Sequence, residues 1–119
     1  MKIMIVDDHA DMRRVLRNVV QLSFTAPVEF MECDSGEIAI AQYAGFSPNL
    51  VLMDVELKSM SGFEVTEELM NQDEGAKVVI VTSYDTPSFR RKAKKLQTKG
   101  FICKDRLTDL HQLLHNIIH

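Results

Sequence analysis

Five short apolar runs recur along the chain, at residues 2–6, 28–33, 49–53, 77–82 and 100–103, and a helix-length segment follows each of them. This alternation constrains the fold more than any other feature. Runs built almost throughout from Val, Ile, Leu, Met and Phe have no polar face to offer water, so they suit strands of a parallel sheet covered on both sides. The segments between them supply the cover. Met12, Val15, Leu16, Val19 and Val20 fall at three- and four-residue intervals, as one face of an amphipathic first helix would place them. Asp34-Ser35-Gly36-Glu37 and Ser61-Gly62-Phe63-Glu64 both read as capping boxes that open the second and third helices. Thr86 followed by Pro87 gives a cap and a proline at the first helical position, opening the fourth. Asp105 is expected to cap the fifth, in which Leu107, Leu110, Leu114 and Ile117 form one stripe. Strand then helix, five times over, predicts an α/β fold with one parallel sheet, helices on both faces and right-handed crossovers.

A chain of 119 residues suits a single domain, residues 1–119, with enough core to fold without disulfides or a structural metal. Nothing in it reads as a repeat or a linker, and the expected fifth helix leaves no residues for an effector domain. A net charge of −3 argues against direct nucleic-acid binding by this domain. No apolar run approaches the ~20 residues that span a bilayer. The opening stretch meets Asp7-Asp8 after six residues, too soon for the apolar core of a signal peptide, so the expected location is cytoplasmic. Cys33 and Cys103 lack any zinc spacing and sit in apolar runs, which suggests buried, reduced thiols.

The ends of the strands carry the chemistry. In open parallel sheets ligands bind beyond the carboxyl ends of the strands. There the first run is followed by Asp7-Asp8 and the third by Asp54, while the fourth ends in Thr82-Ser83 and the fifth meets Lys104. Singly, Asp8 could cap a helix, Asp54 could begin a loop and Lys104 could be a solvated cation. Together they bring acids, a hydroxyl and a cation to one rim. Carboxylates in a small pocket repel one another and invite a hard cation or a proton. An oxygen-only ligand set favours Mg²⁺ over zinc or copper. A carboxylate beside Mg²⁺, with a lysine and a hydroxyl opposite, is equipped to accept a phosphoryl group by in-line attack.

These residues, with Asp54-Val55-Glu56-Leu57-Lys58-Ser59-Met60-Ser61-Gly62-Phe63-Glu64, Val81-Thr82-Ser83 and Gly100-Phe101-Ile102-Cys103-Lys104, resemble the receiver domains of two-component response regulators across essentially the whole chain. The resemblance implies a flavodoxin-like, doubly wound sheet in the order 2-1-3-4-5. It implies that Asp54 is the phosphoacceptor, that Asp8 and Asp7 bind Mg²⁺, and that the backbone carbonyl of Glu56 adds a ligand. Lys104 would pair with the phosphoryl oxygens. Thr82 and Phe101 would form the switch, the hydroxyl moving to the phosphoryl group and the ring following inward. The implied partners are a sensor histidine kinase or phosphotransfer protein, and a downstream protein or appended effector domain reached through helix 4, strand 5 and helix 5. A dimer through helices 4 and 5 is a further possibility of that face. Receivers commonly have proline after the lysine and at the position of Lys58, and Gly-Ala before the fifth strand; here Asp105, Lys58 and Gln97-Thr98 stand instead. None of these departures removes a reacting group.

Other readings stay open at this level. Arg90, Arg91, Lys92, Lys94, Lys95 and Lys99 crowd ten positions, either as a solvated helix face or as a site for an acidic partner. His111, His115 and His119 share a four-residue spacing that can bind metal but more often reflects plain exposure. An aspartate-nucleophile phosphohydrolase would carry a second acid where Glu56 stands, but a threonine where Lys58 stands. A flavodoxin-like electron carrier would not place Asp7-Asp8-His9-Ala10-Asp11 against a flavin phosphate. A degenerate scaffold would not retain Asp54, Thr82 and Lys104 together. A receiver cut from a longer DNA-binding regulator would read the same. Slow hydrolysis of the phosphorylated form is expected, chiefly because Tyr84, two past Thr82, would restrict the attacking water. Alternatively, its ring points to solvent against the fourth helix. Glu56 near the same approach would either orient water or repel the phosphoryl oxygens.

Overall fold

A computed structural model of the protein describes residues 1–118. Its elements alternate as β1 (Lys2–Val6), α1 (Ala10–Leu22), β2 (Glu29–Cys33), α2 (Gly36–Phe46), β3 (Leu50–Asp54), α3 (Gly62–Gln72), β4 (Val78–Thr82), α4 (Pro87–Lys95), β5 (Gly100–Cys103) and α5 (Thr108–Ile118), with a 3₁₀ turn at Lys104–Arg106 before the last helix. The five strands form one parallel sheet in the order β2-β1-β3-β4-β5, the flavodoxin-like arrangement expected.

The apolar runs explain the layering. β3 and β4 are buried at every position, and β1 at all but Lys2. Because side chains alternate across a strand, each run feeds two cores. Met4, Val6, Val51, Met53, Val78 and Ile80 meet α2, α3 and α4 on one face. Ile3, Ile5, Leu50, Leu52, Val79 and Val81 meet Leu16 and Val20 of α1 and Leu110 and Leu114 of α5 on the other. Each fully buried aliphatic side chain contributes about 1.5–3 kcal/mol before chain entropy is counted. The order sets Cys33 and Cys103 on opposite edge strands, where both are buried free thiols.

Three local expectations meet the structure differently. Val15 does not join the inner face of α1; it stands 42% exposed on the flank of the helix. At α2 the cap is Ser35, accepting from the Ile38 amide at 3.2 Å. That puts Glu37 one position too early to reach back, and no box forms. The α3 box does form, with Ser61 and Glu64 bonded reciprocally. Asp105 is absorbed into the 3₁₀ turn, so α5 starts at Thr108 without it. The expected α4 opening holds, with Thr86 accepting from the Phe89 amide ahead of Pro87 at the first position. His119, the last of the three spaced histidines, lies outside the described residues.

One glycine sets how closely α3 approaches the sheet. The amide of Gly62 donates to the Val55 carbonyl at 2.9 Å, and a Cβ at Gly62 would collide with the carbonyl oxygen of Asp54. The start of α3 is thereby packed against the end of β3, where Asp54 sits.

Candidate functional site

The parallel order brings the ends of β1, β3, β4 and β5 to one rim, and with them Asp7, Asp8, Asp54, Thr82 and Lys104. Asp7 is fully buried: its amide donates to the Cys33 carbonyl at 3.1 Å, and Arg13 donates to its carbonyl at 2.7 Å. Arg13 also reaches Glu32 at 3.0 Å, so β2 helps to fix the first acidic loop. Asp54 is the last residue of β3 and is buried. Lys104 Nζ donates to Asp7 Oδ2 at 3.0 Å and to Asp54 Oδ1 at 3.1 Å, bridging β1 and β3 from the far edge of the sheet.

One buried oxygen at this rim makes no hydrogen bond. Asp8 Oδ1 is buried with no hydrogen bond, and although His9 Nδ1 lies 3.0 Å away, its orientation makes none. A buried carboxylate oxygen without a donor is costly unless a cation serves it. Asp7, Asp8, His9 and Asp54 each offer one ligand atom within 4.8 Å of the others. His9 is the member that sequence reasoning missed. Its amide also donates to Asp7 Oδ1 at 2.9 Å. The signal for it was its place directly after Asp7-Asp8, where a turn folds the ring back over the carboxylates.

The electrostatics follow from crowding. Burial, and then the neighbouring Asp7 charge, push the Asp54 carboxyl above its ordinary range despite the opposing pull of Lys104. Burial works against charge on Lys104, but its hydrogen bond to Asp7 and the charges of Asp54 and Asp7 outweigh that and hold it above the usual lysine value. The lysine is therefore a fixed cation among more carboxylates than it can neutralise.

Thr82 is buried at the end of β4. Its hydroxyl donates to Glu56 Oε1 at 3.0 Å and accepts from the Tyr84 amide at 3.1 Å. The carboxylate of Glu56 thus lies against the hydroxyl and outside the acidic cluster. The Tyr84 ring is 58% exposed and meets the edge of Phe89 on α4, with centroids 6.5 Å apart. Phe101 is half-buried on β5, packed against the α3–α4 side of the core. The Lys104–Asp105 peptide bond is trans.

A doubly wound parallel sheet with three acids, a hydroxyl and a lysine gathered at its carboxyl rim defines a small class of α/β modules. The family of response regulator receiver domains matches residues 3–116, and the chain belongs to that family. Chemotaxis protein CheY of Halobacterium salinarum is 31% identical over 103 residues, covering 87% of this chain and 83% of that protein. The transcriptional regulatory protein YdfI of Bacillus subtilis is 26% identical over 98% of this chain, which spans only 53% of YdfI. The crystal structure of a two-component response regulator of the LuxR family from an Aurantimonas species superimposes with a TM-score of 0.89 at 26% identity, covering 98% of this chain and 84% of that one.

Proposed function

We propose that Asp54 accepts a phosphoryl group and that residues 1–119 work as the phosphorylation-controlled receiver of a two-component pathway. One observation carries this reading. Asp54 lies buried at the carboxyl end of the central strand, 3.1 Å from Lys104 Nζ and clustered with Asp7 and Asp8.

An Asp54 carboxylate oxygen would attack phosphorus in line. The new oxygen–phosphorus bond forms as the bond to the donor's leaving group breaks, giving an aspartyl phosphate. Lys104 would trade a carboxylate for a phosphoryl oxygen. The Thr82 hydroxyl would leave Glu56 and donate to another, and Phe101 would move inward behind it. Mg²⁺ fits the orphaned Asp8 oxygen and its carboxylate neighbours, because a hard cation with oxygen ligands relieves their repulsion. Asp7, Asp8, Asp54 and the Glu56 carbonyl would hold the ion, which when bound supplies positive charge against the phosphoryl oxygens. Reversal needs water to approach phosphorus in line; Glu56, whose carboxylate lies against Thr82, and Tyr84, two past Thr82, would set its rate.

The output would be a change of partner binding, not turnover of an external substrate. The donor is a sensor histidine kinase or phosphotransfer protein in the cytoplasm. The receiver of the signal is a protein partner, an appended effector domain or a second copy, reached through α4, β5 and α5. The match to part of YdfI supports the appended-domain form. Among the described residues no helix is long and apolar enough to cross a membrane. The reading is tested by incubating the protein with a small phosphodonor and Mg²⁺ and measuring intact mass. One phosphoryl adduct is expected, absent from Asp54→Ala; an adduct that persists in the variant overturns the assignment.

A further inference from the structure

Phe101 is held from outside by a knot of charge. Arg90, on α4, lays its guanidinium over the Phe101 ring, 4.7 Å from the centroid. The same group donates through Nε to Asp85 Oδ1 and through a terminal nitrogen to Asp85 Oδ2, the latter at 2.9 Å. Asp85 also accepts from Arg106 at 3.4 Å, and Arg106 pairs with Asp109 at 3.6 Å. The knot therefore ties the β4–α4 loop, α4, β5 and the turn into α5. Each of these exposed pairs is worth little alone. Their arrangement matters more than their strength. A bidentate carboxylate fixes the plane of a guanidinium, so the stacked cation cannot slide from the ring without giving up both hydrogen bonds. The hydrogen bond from Arg90, and then the charges of Arg90 and Arg106, hold the Asp85 carboxyl below its ordinary range, so mild acid leaves the pair intact.

We infer that Arg90 is a positioning residue that restrains Phe101 in its outer, half-buried orientation and so opposes the phosphorylated state. The inference rests on the proposed roles of Asp54, Thr82 and Phe101. On that reading the ring must follow Thr82 inward. To do so it must leave the guanidinium, whereas its contacts with the apolar core can be rebuilt along the way. The six basic residues of this region then divide: Arg90 turns back onto the molecule and sets the ease of switching, Lys92 lies over the Phe63 ring at 5.8 Å, and Arg91, Lys94, Lys95 and Lys99 remain available to a partner. Arg90→Ala should shift the balance toward the inward ring by about two- to fivefold, the range expected for an exposed cation–π contact. Arg90→Lys keeps the charge but loses the planar fork, and should fall between.

The test measures affinity for beryllium fluoride with Mg²⁺, a mimic of the phosphoryl group, in wild type, Arg90→Ala and Arg90→Lys. A second readout, taken without beryllium fluoride, is NMR cross-relaxation between the Phe101 ring and the Thr82 methyl group. Tighter binding in Arg90→Ala, an intermediate value in Arg90→Lys and stronger cross-relaxation in Arg90→Ala are expected, with the urea midpoint nearly unchanged. Equal or weaker binding in Arg90→Ala overturns the restraint while leaving Asp54 as phosphoacceptor. A wild type that does not bind beryllium fluoride overturns the reading of the site and with it the switch on which the restraint acts. Unchanged cross-relaxation in Arg90→Ala overturns the restraint whichever way the binding falls.

Discussion

Replacing Asp54 with asparagine removes one of three carboxylates that crowd the rim while keeping the side chain's size. Oxygens of Asp7, Asp8 and Asp54 approach within 4.8 Å of one another. At an effective dielectric near 20, each like-charged pair at that distance costs ~3.5 kcal/mol. The Lys104–Asp54 pair at 3.1 Å returns ~5 kcal/mol on the same scale. Two repulsions outweigh one attraction, and burial of the charge adds to the deficit. Asparagine keeps an oxygen for Lys104 and brings an amide that can donate to a neighbouring carboxylate. Without divalent cation at neutral pH, Asp54→Asn should therefore be more stable than wild type by about 1–3 kcal/mol, with Tm rising by roughly 4 °C per kcal/mol. The sign with pH follows from the raised Asp54 carboxyl. The folded protein keeps a proton that the unfolded chain has released, so stability falls as pH rises between the two pKa values, and the deficit is complete above the folded one. The gap between variant and wild type should thus narrow on acidification toward the ordinary carboxylate range. It should narrow again with Mg²⁺, which stabilises wild type by mass action. Urea unfolding in chelator, at neutral and mildly acid pH, reads both effects. An Asp54→Asn variant that is no more stable than wild type without cation would refute the argument.

Four further outcomes are expected. Asp8→Asn should weaken Mg²⁺ binding at least about tenfold in an NMR or calorimetric titration, since it neutralises the carboxylate whose Oδ1 makes no hydrogen bond. Gly62→Ala should cost at least about 2–3 kcal/mol in urea unfolding, because its Cβ meets backbone rather than a movable side chain. Cys33, with its thiol pushed up to about 11 chiefly by burial, should resist alkylation at neutral pH until the chain unfolds, as thiol counts with time would show. Tyr84→Ala should speed decay of the phosphorylated form if the ring swings from Phe89 to cover the approach of water; an unchanged rate would leave the ring as packing on α4.

The fold was legible because both faces of the central strands are dry. A run such as Leu50–Asp54 needs no periodicity to identify it, since every position is buried. The helix ends were less legible, because a cap depends on one residue's backbone angles. At α2, Asp34 and Ser35 are both competent acceptors, and the chain enters the helix one residue later than the box required. At α5, the 3₁₀ turn carries Lys104 back over the rim, where its ammonium bridges Asp7 and Asp54. Asp105 follows it into the turn and is lost to the cap. Val15 kept the right spacing but lies at the border of the buried stripe, which no spacing rule separates from its centre.

The site divides along the same line. Asp8, Asp54, Thr82 and Lys104 could be gathered from the sequence because a parallel sheet sends all its strands' carboxyl ends to one rim, so position within a run is enough. Which of them bond to one another could not be read that way. Glu56 and Thr82 are 26 positions apart and belong to different strand ends, yet the resting hydroxyl is already committed to that carboxylate at 3.0 Å. Any phosphoryl group on Asp54 would compete with Glu56 for the same proton donor, and would do so with its own negative charge near a second one. Arg90 repeats the pattern on the outer side of Phe101, with Asp85 deciding where its guanidinium lies. The proposed reacting groups are thus gathered by topology, whereas the groups proposed to resist or ease the switch are set by side-chain pairs, Glu56 with Thr82 and Asp85 with Arg90, that position within a strand does not predict. Two receivers with identical rims can therefore differ in how readily they switch, and in this chain residues 56, 85 and 90 are where that difference would be written.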